Sequence, residues 1–159
     1  MKRLLCTLAL LVASHGAAIA QATGQIVNDA TGFTIGGGAG SMAEGVQLSV
    51  WQHDGSPNQS WSIVPTDDGW FKIVNAGTGL CVDVAGAVST TGAAIVLSTD
   101  DGSASQQWRW LDREGHKILV NRKSREVIRV SGGSTAEGAV LVQWLYVVGA
   151  PTQFWHVSP

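Results

Sequence analysis

Gln59-Ser60-Trp61, Gln106-Gln107-Trp108 and Gln153-Phe154-Trp155 are the stretches that decide the fold of this chain. All three have the form Gln-x-Trp, and successive copies lie 47 residues apart. A motif that returns at a fixed interval of about 20 to 50 residues indicates a repeated architecture, in which each repeat is one structural unit. The sequence therefore predicts three equivalent units.

Other positions recur in the same register. Each unit opens with two apolar residues and an asparagine, a glycine follows 17 residues after the asparagine, and position 23 is often aromatic. The asparagines are Asn28, Asn75 and Asn121, the glycines are Gly45, Gly92 and Gly138, and position 23 holds Trp51, Ser98 and Trp144. The third unit has one extra residue before its Gln-x-Trp. These agreements predict repeats over about 25–69, 70–115 and 116–158.

Short β-prone runs alternate with turn residues inside each unit. The runs 70–74 and 116–120 are typical of strands. Asp67-Asp68-Gly69 and Arg113-Glu114-Gly115 precede them and predict hairpin turns. No stretch of useful length shows a helical period. The sequence therefore predicts a closed all-β assembly, because closure removes exposed sheet edges.

The repeats resemble a known family. Three units of about 40 to 50 residues, each ending in Gln-x-Trp, are similar to the ricin B-type lectins. Segment 131–138 with Trp144, and the run 81–84, carry the same resemblance, which extends over residues 25–158. It implies an all-β fold, a β-trefoil of three internal repeats. It also implies a carbohydrate-binding module for galactose-like or other surface glycans.

The Gln-x-Trp residues are expected to be structural. A tryptophan can contribute a large buried apolar area while its indole N–H finds a hydrogen-bond partner. In the family that the chain resembles, this motif serves chiefly the fold. The structural set is Gln59, Trp61, Gln106, Trp108, Gln153 and Trp155.

The resemblance places a sugar site elsewhere in each unit, formed by an Asp, an aromatic residue and an Asn. The carboxylate would accept from sugar hydroxyls, the aromatic ring would pack on the pyranose, and the amide would both donate and accept. No unit keeps all three: the Asp position holds Gly36, Asp83 and Arg129, the aromatic position Trp51, Ser98 and Trp144, and the Asn position Asn58, Ser105 and Thr152.

The first unit is the leading candidate, because Asp54 could replace its missing carboxylate. The candidate sugar-binding residues are Trp51, Asp54, Asn58, Gln59, Asp83 and Trp144. The alternative is that Trp51 packs against its own loop and Asn58 satisfies turn backbone. Asp83 could equally be a turn or strand-end acceptor.

The first twenty residues predict a secretory signal peptide, residues 1–20. Lys2 and Arg3 give a positive start, 4–12 are apolar, and 18–20 have the small-x-small form of a cleavage site. We expect one mature domain, residues 21–159, secreted or delivered to the periplasm. The apolar run is shorter than the roughly 20 residues that a spanning helix needs, so no transmembrane segment is expected.

The mature composition narrows the possible partners. Without Lys2 and Arg3, eight basic residues face twelve acidic ones, a net charge of −4, which argues against nucleic acid. The basic residues crowd 109–129, a stretch interpreted as a solvated face. Cys81 is the one cysteine left after cleavage, so no intrachain disulfide is possible and a buried thiol is expected.

No catalytic motif stands out. The mature histidines are not spaced as a metal pair, and neither a nucleophile elbow nor a phosphate loop occurs, so we expect no enzyme activity, cofactor or metal. Segment 145–151 is apolar where the first unit's loop is polar. It could contact a protein partner, a second copy or a membrane, or fold down onto the core. The alternative function is therefore a protein-interaction or toxin-type binding subunit with degenerate sugar sites.

Overall fold

The computed structural model describes residues 22–159, so the predicted signal peptide lies outside the described residues. The described chain forms twelve strands and six single-turn 3₁₀ helices, arranged as three sets of four strands and two helices. The strands are β1 Ala22–Asn28, β2 Thr34–Gly37, β3 Leu48–Trp51, β4 Trp61–Pro65, β5 Phe71–Asn75, β6 Cys81–Val84, β7 Ile95–Ser98, β8 Trp108–Arg113, β9 His116–Asn121, β10 Val127–Val130, β11 Leu141–Trp144 and β12 Trp155–Ser158. The helices are Gly38–Gly40, Pro57–Gln59, Ala85–Ala87, Ala104–Gln106, Ser131–Gly133 and Pro151–Gln153.

The first and fourth strands of each set form a closed ring. Antiparallel pairing joins β12 to β1, β1 to β4, β4 to β5, β5 to β8 and β8 to β9. The ring is completed where β9 lies against β12. Closure places the first and last described strands side by side, with Gln25 opposite Ser158. No edge of this six-stranded barrel is left to pair with another sheet.

The second and third strands of each set form hairpins that cap the barrel. These hairpins are β2–β3, β6–β7 and β10–β11. Isolated bridges join them to one another: Gln47 to Val96, Ser49 to Val140, and Ala94 to Val142. A six-stranded barrel capped by three hairpins is the β-trefoil that the repeats predict, and the all-β prediction is confirmed.

The turns between β4 and β5 and between β8 and β9 are the predicted hairpin turns. Asp68 and Gly69 have φ of +49° and +77°, and Glu114 and Gly115 have φ of +54° and +81°. A type I′ turn requires a positive φ at both central residues, and Asp-Gly is a preferred pair there. The sequence therefore predicts these two turns by their residue types.

The core is built around three buried indoles. Trp61, Trp108 and Trp155 are at most 1% exposed, and each indole N–H donates to a buried carbonyl in its own unit. The acceptors are the carbonyls of Ile35, Val82 and Ile128, at 3.0, 3.0 and 3.1 Å. Burial and hydrogen bonding are thus satisfied together, as a buried tryptophan requires.

The recurring asparagines are buried and join neighbouring parts of the fold. The Asn75 amide lies within 3.3 Å of the carbonyls of Pro57, Asn58 and Ser60, which precede β4. Its Oδ1 accepts from the backbone N–H of Gly77 and Thr78. Asn28 and Asn121 make equivalent contacts in the other units. Each asparagine therefore ties the turn after its strand to the Gln-x-Trp segment of a neighbouring unit, which for Asn28 is the segment of the third unit.

Cys81 is fully buried in β6, which confirms the expected buried thiol. Burial raises its pKa to about 11, so the thiol stays protonated at neutral pH. In a chain beginning at Gln21, we expect a disulfide reagent to leave the native protein unmodified during the time in which it labels the denatured chain completely. Rapid labelling of the native protein, followed by absorbance, would contradict this burial.

Candidate functional site

The glutamines of the Gln-x-Trp motifs hold the loops that follow β3, β7 and β11. Gln59 Nε2 donates to the Gln52 carbonyl at 2.8 Å, and its Oε1 accepts from the Asp54 N–H at 2.9 Å. Gln106 and Gln153 bind their own loops in the same way. Gln59 is only 4% exposed, so its amide fixes the shape of the first loop.

A pocket of about 420 Å³ lies where this first loop meets the third unit. Its walls include Trp51, Asp54, Asn58 and Gln59, four of the candidate sugar-binding residues. The remaining lining residues are Gly36, Gly37, Gly40, Gln52, His53, Ser56 and Glu137. The structure therefore brings the first unit's candidates together around one opening, and its volume is within the range of small-molecule sites.

Two glycines define the position of the Trp51 ring. A β-carbon at Gly138 would lie 3.2 Å from Cη2 of Trp51, and one at Gly36 would lie 3.1 Å from its Cδ1. Gly138 has a φ of +80°, which favours glycine, and its N–H donates to the Val50 carbonyl at 2.8 Å. The glycine 17 residues after the asparagine of one unit thus contacts the tryptophan 23 residues after the asparagine of another unit. Gly138 contacts Trp51 in this way, and Gly92 contacts Trp144.

The indole N–H of Trp51 is buried and has no hydrogen-bond partner among the described residues. Its nitrogen is bonded to Cδ1, the atom that faces Gly36. Gly36 stands where the other units carry Asp83 and Arg129, so this position adds no side chain of its own to the pocket. An unsatisfied buried donor costs about 1–3 kcal/mol, and a ligand hydroxyl that accepts from it would recover part of that.

Glu137 contributes a carboxylate from the third unit. Its Oε1 accepts from the Gln52 N–H at 3.1 Å, and the side chain lines the pocket. Glu44 accepts from the Thr99 N–H in the same way, between the first and second units. Sequence reasoning missed Glu137, although both glutamates directly precede the recurring glycines Gly45 and Gly138.

Asp54 and Asn58 offer further polar groups at the opening. Asp54 Oδ1 accepts from the Ser56 N–H at 2.8 Å, and this bond lowers the pKa of the exposed carboxyl, which therefore remains ionised at neutral pH. Asp101 makes the same bond to Ser103 in the second unit. The Asn58 amide donates to the Gly40 carbonyl over 3.4 Å, a long bond that holds it weakly.

The second unit presents its carboxylate differently. Asp83 is 8% exposed, and its two oxygens accept from the Val84 N–H and from Gln106 Nε2, at 2.7 and 3.2 Å. Ser98 replaces the aromatic ring at position 23. The Asp83 carboxylate therefore already has partners in the protein.

The third unit carries a cation in place of the carboxylate. The Arg129 guanidinium lies 5.3 Å from the ring centroid of Trp144, a cation–π arrangement. Trp144 itself is 36% exposed. Neither Asp83 nor Trp144 lines the first-unit pocket, so the structure does not bring these two candidates to it.

Two structural comparisons agree with the three-fold arrangement. A designed three-fold symmetric protein, ThreeFoil, matches with a TM-score of 0.81 and 29% identity, over 86% of this chain and 99% of its own. An exo-β-1,3-galactanase from Clostridium thermocellum matches with a TM-score of 0.80 and 28% identity, over 85% of this chain and 29% of the enzyme. This chain thus corresponds to less than a third of that enzyme's length.

A third structure shares the fold at lower identity. The Macrolepiota procera ricin B-like lectin, solved in complex with lactose, matches with a TM-score of 0.72 and 17% identity, over 87% of this chain and 95% of its own. A comparison with curated protein sequences gives no match. The sequence model of the ricin-type beta-trefoil lectin domain-like family matches residues 14–98 and 100–159. With this match over most of its length, the chain belongs to the ricin-type beta-trefoil lectin domain-like family.

Proposed function

We propose that this protein is an exported carbohydrate-binding module whose working site is the first-unit pocket. The observation that carries the proposal is the pocket itself, in which the Trp51 ring lies beside the polar groups of Asp54, Asn58 and Glu137. A pyranose has an apolar C–H face and a rim of hydroxyls. An aromatic wall with a few convergent polar groups suits both parts of such a ligand.

Galactose-containing glycans are the ligand class that we propose. The structural relative at 28% identity is part of an exo-β-1,3-galactanase, which supports a galactose-based ligand. We propose binding without catalysis, because the sequence carries no motif of a nucleophile elbow, a phosphate loop or a metal pair. Export follows from the predicted signal peptide at 1–20, and we propose cleavage near Ala20.

The experiment is a glycan-array screen of the chain beginning at Gln21, with Asp54→Ala and Asp101→Ala as a matched pair. Both variants lose the same turn hydrogen bond, but only Asp54 lines the pocket. We expect the wild type to bind galactose-containing glycans and Asp54→Ala to bind at least about tenfold more weakly, since it loses a charged hydrogen-bond acceptor. Asp101→Ala should bind like the wild type.

Equal losses in the two variants would contradict a first-unit site. The absence of binding to any glycan, with a folded wild type shown by circular dichroism, would overturn the lectin proposal.

That last result would favour the second candidate function, a protein-interaction or toxin-type subunit. The observation behind it is the apolar loop, defined as residues 145–151. Leu145, Val147 and Val148 are 60%, 44% and 78% exposed, so these three side chains do not fold down onto the core. An exposed apolar loop of this kind marks a contact surface.

A further inference from the structure

A second pocket, of about 260 Å³, lies between the second and third units on the outside of the barrel. Its rim carries Arg109, Arg113 and Arg125, and its floor includes Ile118, Val120 and Val127. We call it the basic pocket. It is separate from the first-unit pocket, with which it shares no lining residue. Its arginines come from residues 109–129, the basic stretch that is interpreted from the sequence as a solvated face.

Within the part of the chain that the structure describes, the arginines of the basic pocket lack an acidic partner. Among residues 22–159, none of the three forms an ion pair, whereas neighbouring Arg122 and Lys117 are paired with Asp67 and Asp112. Three positive charges around one opening raise the local positive potential, although the mature chain is acidic overall. The opening therefore has the charge that suits an anion.

Two of these arginines are held in place by Trp70. The guanidinium carbons of Arg109 and Arg125 lie 4.2 and 5.3 Å from the centroid of this buried ring. Arg109 also donates from Nη2 to the Asp68 carbonyl at 2.7 Å. Side chains that are already ordered lose less conformational entropy when a ligand binds. A guanidinium can also bind carboxylate or phosphate oxygens through two parallel hydrogen bonds.

Arg125 occupies a backbone position that favours glycine. It lies four residues after Asn121, where the other units have Gly32 and Gly79 with φ of +71° and +75°. Arg125 adopts a φ of +66°. A residue other than glycine is uncommon at such a position. The third unit departs from the repeat here, and the departure puts a cation at the basic pocket.

The floor of the basic pocket is apolar. Ile118, Val120 and Val127 are at most 8% exposed and form a small hydrophobic cluster apart from the main core, with Leu111 and Tyr146 packed against it. An inorganic anion would contact only the rim and leave this floor unused. A ligand that joins an anionic group to an apolar chain would use both.

Tyr146 connects the basic pocket to the apolar loop. Its hydroxyl donates to Glu114, which also accepts from the Gly149 N–H at 3.1 Å, so the loop is fixed beside the hairpin that carries Arg113. The hydrogen bond from Tyr146 lowers the pKa of Glu114, so the Glu114 carboxylate that holds the loop stays charged at neutral pH. Val148 and Leu145 add exposed apolar surface on the same loop. A chain too long for the pocket could continue onto this surface.

We propose that the basic pocket binds an anionic amphiphile, with the anionic group between Arg109, Arg113 and Arg125 and the apolar chain over the floor. The pocket is slightly below the usual range of about 300–1,000 Å³ for drug-sized ligands, so it takes a small amphiphile or the end of a larger one. Free amphiphiles and the anionic lipids of a bilayer share this chemistry.

The test is a titration of the chain beginning at Gln21 with hexyl phosphate, followed by the NMR signal of the Trp70 indole N–H. Inorganic phosphate and hexanol supply the charge and the chain separately. We expect hexyl phosphate to bind more tightly than either. In the double variant Arg109→Gln/Arg125→Gln, affinity should fall by about tenfold or more. The matched control is Lys123→Gln, an exposed cation outside the pocket, which should change affinity by less than about twofold.

Several results would overturn the proposal: no binding of hexyl phosphate, equal binding of phosphate or hexanol, or equal effects of the arginine and lysine variants. Vesicles of phosphatidylglycerol or phosphatidylcholine identify the source of the ligand. Cosedimentation with the anionic vesicles that Val148→Asp and the arginine variant both abolish indicates a bilayer, whereas binding of hexyl phosphate alone indicates a free amphiphile. Either result is compatible with the proposal. Asp54→Ala should leave the binding of hexyl phosphate and of vesicles unchanged, which separates this proposal from the sugar site.

Discussion

Replacing Trp108 with alanine is expected to lower the free energy of unfolding by about 3–5 kcal/mol. The ring is 0% exposed in the main core, so its removal leaves a cavity that the barrel can fill only partly. The substitution also leaves the buried Val82 carbonyl without the indole N–H that lies 3.0 Å away. Urea unfolding followed by circular dichroism measures the loss without depending on tryptophan fluorescence.

Trp144→Ala is the matched control for Trp108→Ala. Trp144 is 36% exposed at the end of β11, so its removal opens no enclosed cavity, and we expect a loss of about 1 kcal/mol or less. If Trp108→Ala does not fold, Trp108→Phe keeps most of the ring and removes the N–H, and it should still lose about 1–3 kcal/mol. Similar losses for Trp108→Ala and Trp144→Ala would show that the buried indoles do not hold the core together.

Replacing Trp51 with alanine is expected to weaken glycan binding by about 30-fold or more. Trp51 supplies the aromatic wall of the first-unit pocket, and truncating a central aromatic anchor of a binding site typically costs about 2 kcal/mol or more. The variant also removes the unpartnered indole N–H beside Gly36. Isothermal titration calorimetry with the best ligand from the array measures the effect.

Trp51→Phe separates binding from folding. Phenylalanine keeps an aromatic face but has no N–H, so we expect binding to be partly retained and the melting temperature to stay close to that of the wild type. If both variants lose binding only in proportion to lost folded protein, Trp51 acts through packing on Gly138 and not through the ligand. Trp144→Ala should leave first-unit binding unchanged, because Trp144 does not line the first-unit pocket.

The fold could be predicted because its determinants are local and occur three times. The Gln-x-Trp spacing fixes the units, and pairs such as Asp68-Gly69 fix hairpin turns through backbone conformations that few residues adopt readily. The polar bonds of Gln59 and Asn75 could not be predicted in detail. Both residues bind backbone groups, whose positions depend on the folded loops and not on residue types.

Only part of the candidate site could be predicted from the sequence. It predicts Trp51, Asp54 and Asn58 as neighbours because they lie within eight residues of one another. Glu137 is 85 residues from Gln52, and the repeat spacing does not say which units meet. That contact is fixed by the three-fold closure of the hairpins, in which Ser49 pairs with Val140.

The basic pocket could not be predicted from the sequence, for a related reason. The arginines between 109 and 129 are divided between strands and a turn, so whether their side chains meet depends on how β8, β9 and β10 pair. Trp70 lies outside that stretch and reaches Arg109 only because β5 pairs with β8 through Phe71 and Trp108. A run of like charges by itself is more often a solvated face.

The pairing of β1 with β12 makes the order of the three units along the chain interchangeable. Because Gln25 and Ser158 lie opposite each other, a short linker could join Pro159 to Ala22, the last and first described residues, and new ends could be opened at the exposed Asp68-Gly69 turn. Such a circular permutant would begin with the second unit and keep every strand pair of the barrel. The first-unit pocket would then be built from the last unit of the permuted chain together with the unit just before it, with the same walls.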